Sequence, residues 1–147
     1  MKKPLLLLFA LAFAATLHAD ELPITFGELP KGAKVFILTY FKDIPVRATY
    51  IERRASLTQY EVELDGDIEL QFDRTGLCTE VTCKQGAVPD AIIPGKIREV
   101  VKKHFPACRI VKYEHTGRMY DIELSDDTSL AFSSSFRLVD VDRGDKR

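Results

Sequence analysis

From Tyr60 the chain alternates apolar and polar residues with a period of two: Tyr60, Val62 and Leu64 on one side, Glu61, Glu63 and Asp65 on the other. Successive strand side chains point to opposite faces, so this pattern predicts a strand with one buried face. Asp65-Gly66 follows and predicts a tight hairpin turn, because glycine supplies positive φ without strain. The return strand keeps the period, with Ile68, Leu70 and Phe72 inward and Glu69, Gln71 and Asp73 outward. Arg74-Thr75-Gly76 predicts another turn, and a last strand runs from Leu77 to Cys83. Upstream the period is helical. Pro30 suits the start of a helix, where its missing N–H would be unpaired anyway. Ala33, Phe36, Ile37, Tyr40 and Phe41 then form one stripe, and Lys31, Lys34, Thr39 and Lys42 fall off it. Pro45 closes this element, and Val46 to Arg53 predicts the first strand.

The series then restarts. Tyr120-Asp-Ile-Glu-Leu124 repeats Tyr60-Glu-Val-Glu-Leu64, and Leu130 and Phe132 stand for Leu70 and Phe72. Ile97, Val100, Val101, His104 and Phe105 repeat the helical stripe after Ile93-Pro94, and Pro106 ends it. Cys108 to Glu114 matches the first strand, His115-Thr116-Gly117 and Ser125-Asp126-Asp127 are turns, and Phe136 to Val141 is the last strand. The expected fold class is α+β: a tandem repeat of a helix followed by a four-stranded antiparallel meander. Each helix should cover one face of its sheet. A unit this small buries a limited core, so the two should pack together. The boundaries are a lead-in over 20–28, unit one over 29–84, a connector over 85–92, unit two over 93–142 and a charged tail over 143–147.

The first residues change where the protein is expected to work. Lys2 and Lys3 precede an apolar run from Leu5 to Leu17, and Ala19-Asp20 offers a cleavage point, so residues 1–19 read as a secretory signal peptide. An uncleaved anchor is the competing reading, but the run is shorter than the about 20 residues a membrane span needs. The expected location is periplasmic or secreted, with no stable membrane insertion after cleavage. No cysteine follows the run to carry a lipid. Loss of Lys2 and Lys3 leaves 19 basic residues (21 − 2) against 22 acidic, a charge of −3. That balance provides no electrostatic footprint for nucleic acid.

Candidate chemistry is sparse. Cys78 and Cys83 fall on one extended strand, too far apart for a disulfide between them. A bridge from either to Cys108 is open, as is the reading of all three as small buried residues. His104 lies on an apolar helical stripe and reads as packed with its polar edge at the rim; His115 lies in a turn and reads as exposed. Neither belongs to a metal-ligand spacing. Asp65-Gly66-Asp67 and Ser125-Asp126-Asp127 suit hairpin turns and lack the ligand ladder of a calcium loop. No catalytic residue, cofactor or metal site is therefore assigned. The candidate partner-binding surface is the outward sheet face: Glu61, Glu63, Glu69, Gln71, Asp73, Asp121, Glu123 and Ser129. A solvated sheet face is the plain alternative.

These residues resemble the PepSY-like family, also described as beta-lactamase-inhibitor-like, of small exported proteins from Bacteroidota-type bacteria. The resemblance rests on the proline-started helices ending in Tyr40-Phe41 or His104-Phe105-Pro106, and on the Tyr-(Glu/Asp)-(Val/Ile)-Glu-Leu motif. Leu70-Gln-Phe-Asp73 with Gly76, Val81-Thr-Cys83 and Ala87-Val-Pro89 also match, and the likeness covers about residues 28–142. The chain departs from the family where Thr82 stands for an aspartate, and where Ser133-Ser-Ser-Phe136 replaces an Asp-x-x-Gly turn. The resemblance implies open sheet faces able to hold a partner. It suggests a non-catalytic protein that inhibits or modulates an envelope or secreted enzyme, with an envelope binder of a small ligand or metal ion as the alternative.

Overall fold

The alternation around Val62 becomes the interior of one broad sheet. The computed structural model describes residues 21–144, so the segment 1–19, expected to be a signal peptide, and the end of the tail lie outside the described residues. Nine strands pair antiparallel in sequence order: β1 (Glu21–Pro23), β2 (Val46–Arg54), β3 (Leu57–Leu64), β4 (Ile68–Asp73), β5 (Cys78–Cys83), β6 (Ile110–His115), β7 (Met119–Leu124), β8 (Ser129–Ser133) and β9 (Leu138–Asp142). Helix α1 (Lys31–Tyr40) precedes β2, and α2 (Gly95–His104) precedes β6.

Both helices bury the inner part of the stripes expected of them, while Tyr40 and His104 at their last turns are exposed. Ala33 and Ile37 from α1, and Ile97 and Val101 from α2, are buried against Val62, Leu70, Phe72, Ile122, Leu130 and Phe132. Each of these large apolar side chains contributes about 1.5–3 kcal/mol on full burial. Prolines set both helix starts. Pro30 and Pro94 sit at the cap positions, and Phe41 and Phe105 close the helices through N–H bonds of 2.8 Å to Ile37 O and Val101 O.

The two units do not form separate sheets, as a helix-covered sheet per unit would suggest. β5 pairs with β6 through Glu80↔Glu114, Val81↔Tyr113 and Thr82↔Lys112, so the sheet is continuous and has a single open face. The lead-in is also more structured than its sequence suggests. Glu21–Pro23 pairs along the outer edge of β2, and a short 3-10 turn (Phe26–Glu28) follows. That turn is held by the Thr25 N–H and hydroxyl, which donate to Glu28 Oε2 at 2.7 and 2.9 Å.

The repetition extends to irregularities. β2–β3 slips register between Val46 and Ala48, and β6–β7 does so between Ile110 and Lys112. The β4–β5 slip at Gln71/Phe72 recurs in β8–β9 at Ala131/Phe132. The turns after β4 and β8 share one backbone path despite different residues. Gly76 N–H donates to Asp73 O at 3.0 Å, and Phe136 N–H donates to Ser133 O at 2.9 Å. Gly76 and Phe136 both have positive φ, +89° and +64°. The Ser133-Ser-Ser-Phe136 departure therefore changes the chemistry of the turn and keeps its shape.

Candidate functional site

Strand pairing lays the outward residues in rows across the sheet. One row runs Tyr50, Glu61, Gln71, Glu80, Glu114, Asp121, Ala131, Asp140, each opposite the next. A second runs Ala48, Glu63, Glu69, Thr82, Lys112, Glu123, Ser129, Asp142. A third, shorter row sets Glu21, Glu52, Gln59 and Asp73 side by side. Glu61, Glu63, Glu69, Gln71, Asp73, Asp121, Glu123 and Ser129 thus share one face, opposite the helices. The seam between β5 and β6 adds Glu80, Lys112 and Glu114, which the sequence reading missed, and β9 adds Asp140 and Asp142.

Like charges directly opposite one another repel, and this face neutralises only part of its charge. Lys112 Nζ lies 3.4 Å from Glu80 and 3.7 Å from Glu114, bridging the seam. Lys84 Nζ reaches Glu69 at 2.9 Å. Glu52, buried near the β1 margin, is held by Arg54 and by the amide of Gln59. Among the described residues, no ion pair reaches Glu61, Glu63, Asp121 or Glu123.

Glu61 carries the cost. Desolvation raises its pKa above the ordinary carboxylate value, and Glu21, Glu69, Glu63 and Glu52 raise it further. The folded state therefore holds the Glu61 proton more tightly than the unfolded chain does. Its ionised carboxylate destabilises the fold at neutral pH, and that penalty disappears as pH falls through the raised pKa towards the ordinary one. Glu61→Gln is expected to raise Tm near pH 7 and to leave it unchanged below about pH 4, where both states are protonated. Thermal melts at the two pH values check this; an equal gain at both would assign the effect to packing instead of charge.

Asp73 behaves differently. Partial desolvation pushes its pKa up, but hydrogen bonds from the Thr75 hydroxyl and from the Leu77, Thr75 and Gly76 amides outweigh this and hold it low. Its Oδ1 accepts from the Thr75 hydroxyl at 2.6 Å, the Thr75 N–H at 2.8 Å and the Leu77 N–H at 3.0 Å. This carboxylate is engaged in its own turn and offers little to a partner.

The remaining chemical candidates are placed plainly. Cys78 and Cys83 stand at opposite ends of β5 as free thiols, and burial pushes their pKa values up to about 12 and about 11. Raised thiol pKa values disfavour the nucleophilic thiolate. Cys108 is half-buried and packs against the core. His104 is not packed as its stripe position suggested: the last turn of α2 leaves it exposed. His115 is not simply exposed. It is half-buried and stacks flat on Tyr120, with centroids 4.1 Å apart and planes 3° apart. Among the described residues, no group of three or more His, Cys, Asp or Glu is arranged to hold a metal ion.

One sheet covered by two helices on one side and left polar on the other, built from a repeated unit, defines the class of fold. The chain belongs to the PepSY-like family: residues 18–79 and 58–140 each match the family described as "Putative beta-lactamase-inhibitor-like, PepSY-like". It is similar to the crystal structure of a "putative calcium-regulated periplasmic protein" from Bacteroides thetaiotaomicron, at 34% identity and TM-score 0.82, over 83% of this chain and 96% of that one. A "putative periplasmic protein" from Bacteroides vulgatus is 33% identical with TM-score 0.82, over 85% of this chain and 98% of its own. A second Bacteroides vulgatus periplasmic protein, of unknown function, is 26% identical with TM-score 0.79, over 83% and 98%. No curated protein sequence matches the chain. In keeping with its periplasmic neighbours, this is a periplasmic or secreted protein. Among the described residues, no helix is long and apolar enough to cross a membrane.

Proposed function

We propose that this is a non-catalytic binding protein that inhibits or modulates an envelope or secreted enzyme, engaging it through the acidic open face of the sheet. We read each repeat as a helix with the four strands that follow it, so both helices serve as backing for one docking surface. The observation that carries the proposal is the set of carboxylates outside any ion pair among the described residues, Glu61, Glu63, Asp121 and Glu123, on the face opposite both helices. Such a face speeds encounter with a basic partner and rejects acidic ones. The family's inhibitor-like description points the same way.

The test is capture of partners from envelope and secreted fractions on immobilised protein, eluted with rising salt. One dominant, salt-sensitive partner is expected. Glu61→Lys/Glu63→Lys, with unchanged circular dichroism, should weaken its binding by about tenfold or more. Full binding by the folded variant would remove this face from the proposal.

A second reading has one observation in its favour: a neighbour at 34% identity is described as calcium-regulated. Calcium would then bridge adjacent carboxylates such as Glu63 and Glu69, which lie directly opposite. Calcium, and not magnesium at equal ionic strength, should in that case raise Tm by mass action; equal responses would indicate screening alone.

A further inference from the structure

The two units differ in what lies beyond their last strand. β5 and β9 follow the same turn and carry the same bulge against their inner neighbours. The outer edge of β5 is filled by β6, which pairs with Glu80, Val81 and Thr82. The matching residues of β9 are Asp140, Val141 and Asp142. They pair with β8 on one side, and among the described residues no strand pairs with them on the other.

The margins of the sheet are unequal. Among the described residues β1 spans three residues and ends in Pro23, a residue that discourages strand addition. β9 has five residues, all exposed, with neither proline nor lysine. Val139 is 55% exposed and Val141 40%. An edge of this kind is a template for a further strand. Its two sides also differ. Asp140 and Asp142 continue the acidic rows of the open face. On the helix side, Leu138 and Val141 border a recess of about 750 Å³ with Phe105, over which the Arg143 guanidinium lies at 5.8 Å from the ring centre.

We propose that β9 accepts an extended strand of the partner protein, antiparallel, in the place β6 takes on β5. This rests on the reading of the chain as a protein-binding module and gives the partner's chemistry: basic side chains over the open face, alternating with apolar ones towards α2. Within the sheet itself, β6 puts Lys112 opposite Thr82; at the matching place β9 presents Asp142. A second copy is a poor occupant, because β9 against β9 would set aspartates against aspartates across the new ladder.

The test uses peptides of about eight residues, a usual strand length, titrated into the protein at low salt. One alternates Lys and Val, one alternates Glu and Val, and two are Lys–Val peptides N-methylated on either odd or even residues. The Lys–Val peptide should bind and the Glu–Val peptide should not. Methylation in one register should weaken binding by about tenfold or more, since it removes every donor facing β9, while the other register should be tolerated. Asp140→Lys/Asp142→Lys should abolish binding. If both methylated peptides bind fully, or if only the Glu61/Glu63 variant loses the peptide, the edge proposal is overturned while the open-face reading stands. Capture of a partner without any peptide binding also overturns it. So does a concentration-dependent dimer that Asp140→Lys/Asp142→Lys dissociates, which would make a second copy the occupant.

Discussion

Phe72→Ala is expected to destabilise the protein by about 3–5 kcal/mol, the range for removing a fully buried aromatic ring. Phe72 has no solvent exposure, and its ring meets Phe36 of α1 edge-on, with centroids 5.6 Å apart and planes at 80°. It lies where β4 and α1 meet, so truncation leaves a cavity that neither a sheet nor a helix closes easily. Domains of this size hold about 5–15 kcal/mol in all. The variant should therefore lose about a fifth or more of its stability, read as a lower urea midpoint with an unchanged m-value. Leu38→Ala is the control. Leu38 is apolar and on the same helix but 57% exposed, and its loss should fall within about 0.5 kcal/mol. Similar losses for both would contradict the orientation of α1.

Gly76→Ala should cost about 2–5 kcal/mol, with two sources. At φ +89° an alanine is held in a left-handed conformation, for about 1–2 kcal/mol. Its Cβ would also stand 2.9 Å from both the Ala33 backbone nitrogen and Pro30 Cβ, contacts that the start of α1 cannot yield without moving. Overpacking of this kind adds about 1–3 kcal/mol. Phe136, at the matching position of the second unit, keeps a full side chain at φ +64° and packs on Tyr120 with centroids 5.2 Å apart. The turn itself tolerates a side chain; the approach of α1 is what demands glycine in the first unit. Equilibrium unfolding of Gly76→Ala beside Gly66→Ala separates the two sources, since a Cβ at Gly66 meets nothing within 4 Å and incurs the conformational cost alone. Equal losses would show that α1 does not press on the turn.

Much of this was legible in residues and spacing. The alternation from Tyr60 to Leu64 and its copy from Tyr120 to Leu124 placed the core face and the open face correctly. The prolines at positions 30, 94 and 106 marked helix ends within a residue or two, whereas Pro45 lies five residues beyond Tyr40. What escaped notice was non-local. Cys78-Thr-Glu-Val-Thr-Cys83 and Ile110-Val-Lys-Tyr-Glu-His115 each carry few charges, so neither signals by itself that Glu80, Lys112 and Glu114 stand in line. The register slips after Gln71 and Ile110 shift the parity that an alternation count relies on. Only the pairing of β5 with β6 joins these residues into the rows that Glu61 and Asp121 already occupied. His104 misled for a related reason: it keeps the stripe spacing of Tyr40, but each helix ends at that position and both side chains are exposed.

The order of the strands bears on how the protein assembles. Each strand's partners in the sheet are its neighbours in the chain, so most pairings close short hairpins and the contact order stays low, which favours rapid folding. Two pairings span a helix, β1 with β2 and β5 with β6. A chain that emerges from a membrane N-terminus first can therefore complete β2 to β5 with α1 before its second half has crossed. In that interval β5 presents an open edge, with Glu80, Val81 and Thr82 unpaired on their outer side. The next segment of the same chain to reach it, β6, carries Lys112 and so brings the cation that Glu80 lacks. Translocation in this order supplies each new strand to an edge already formed, and the second half of the molecule grows on the first.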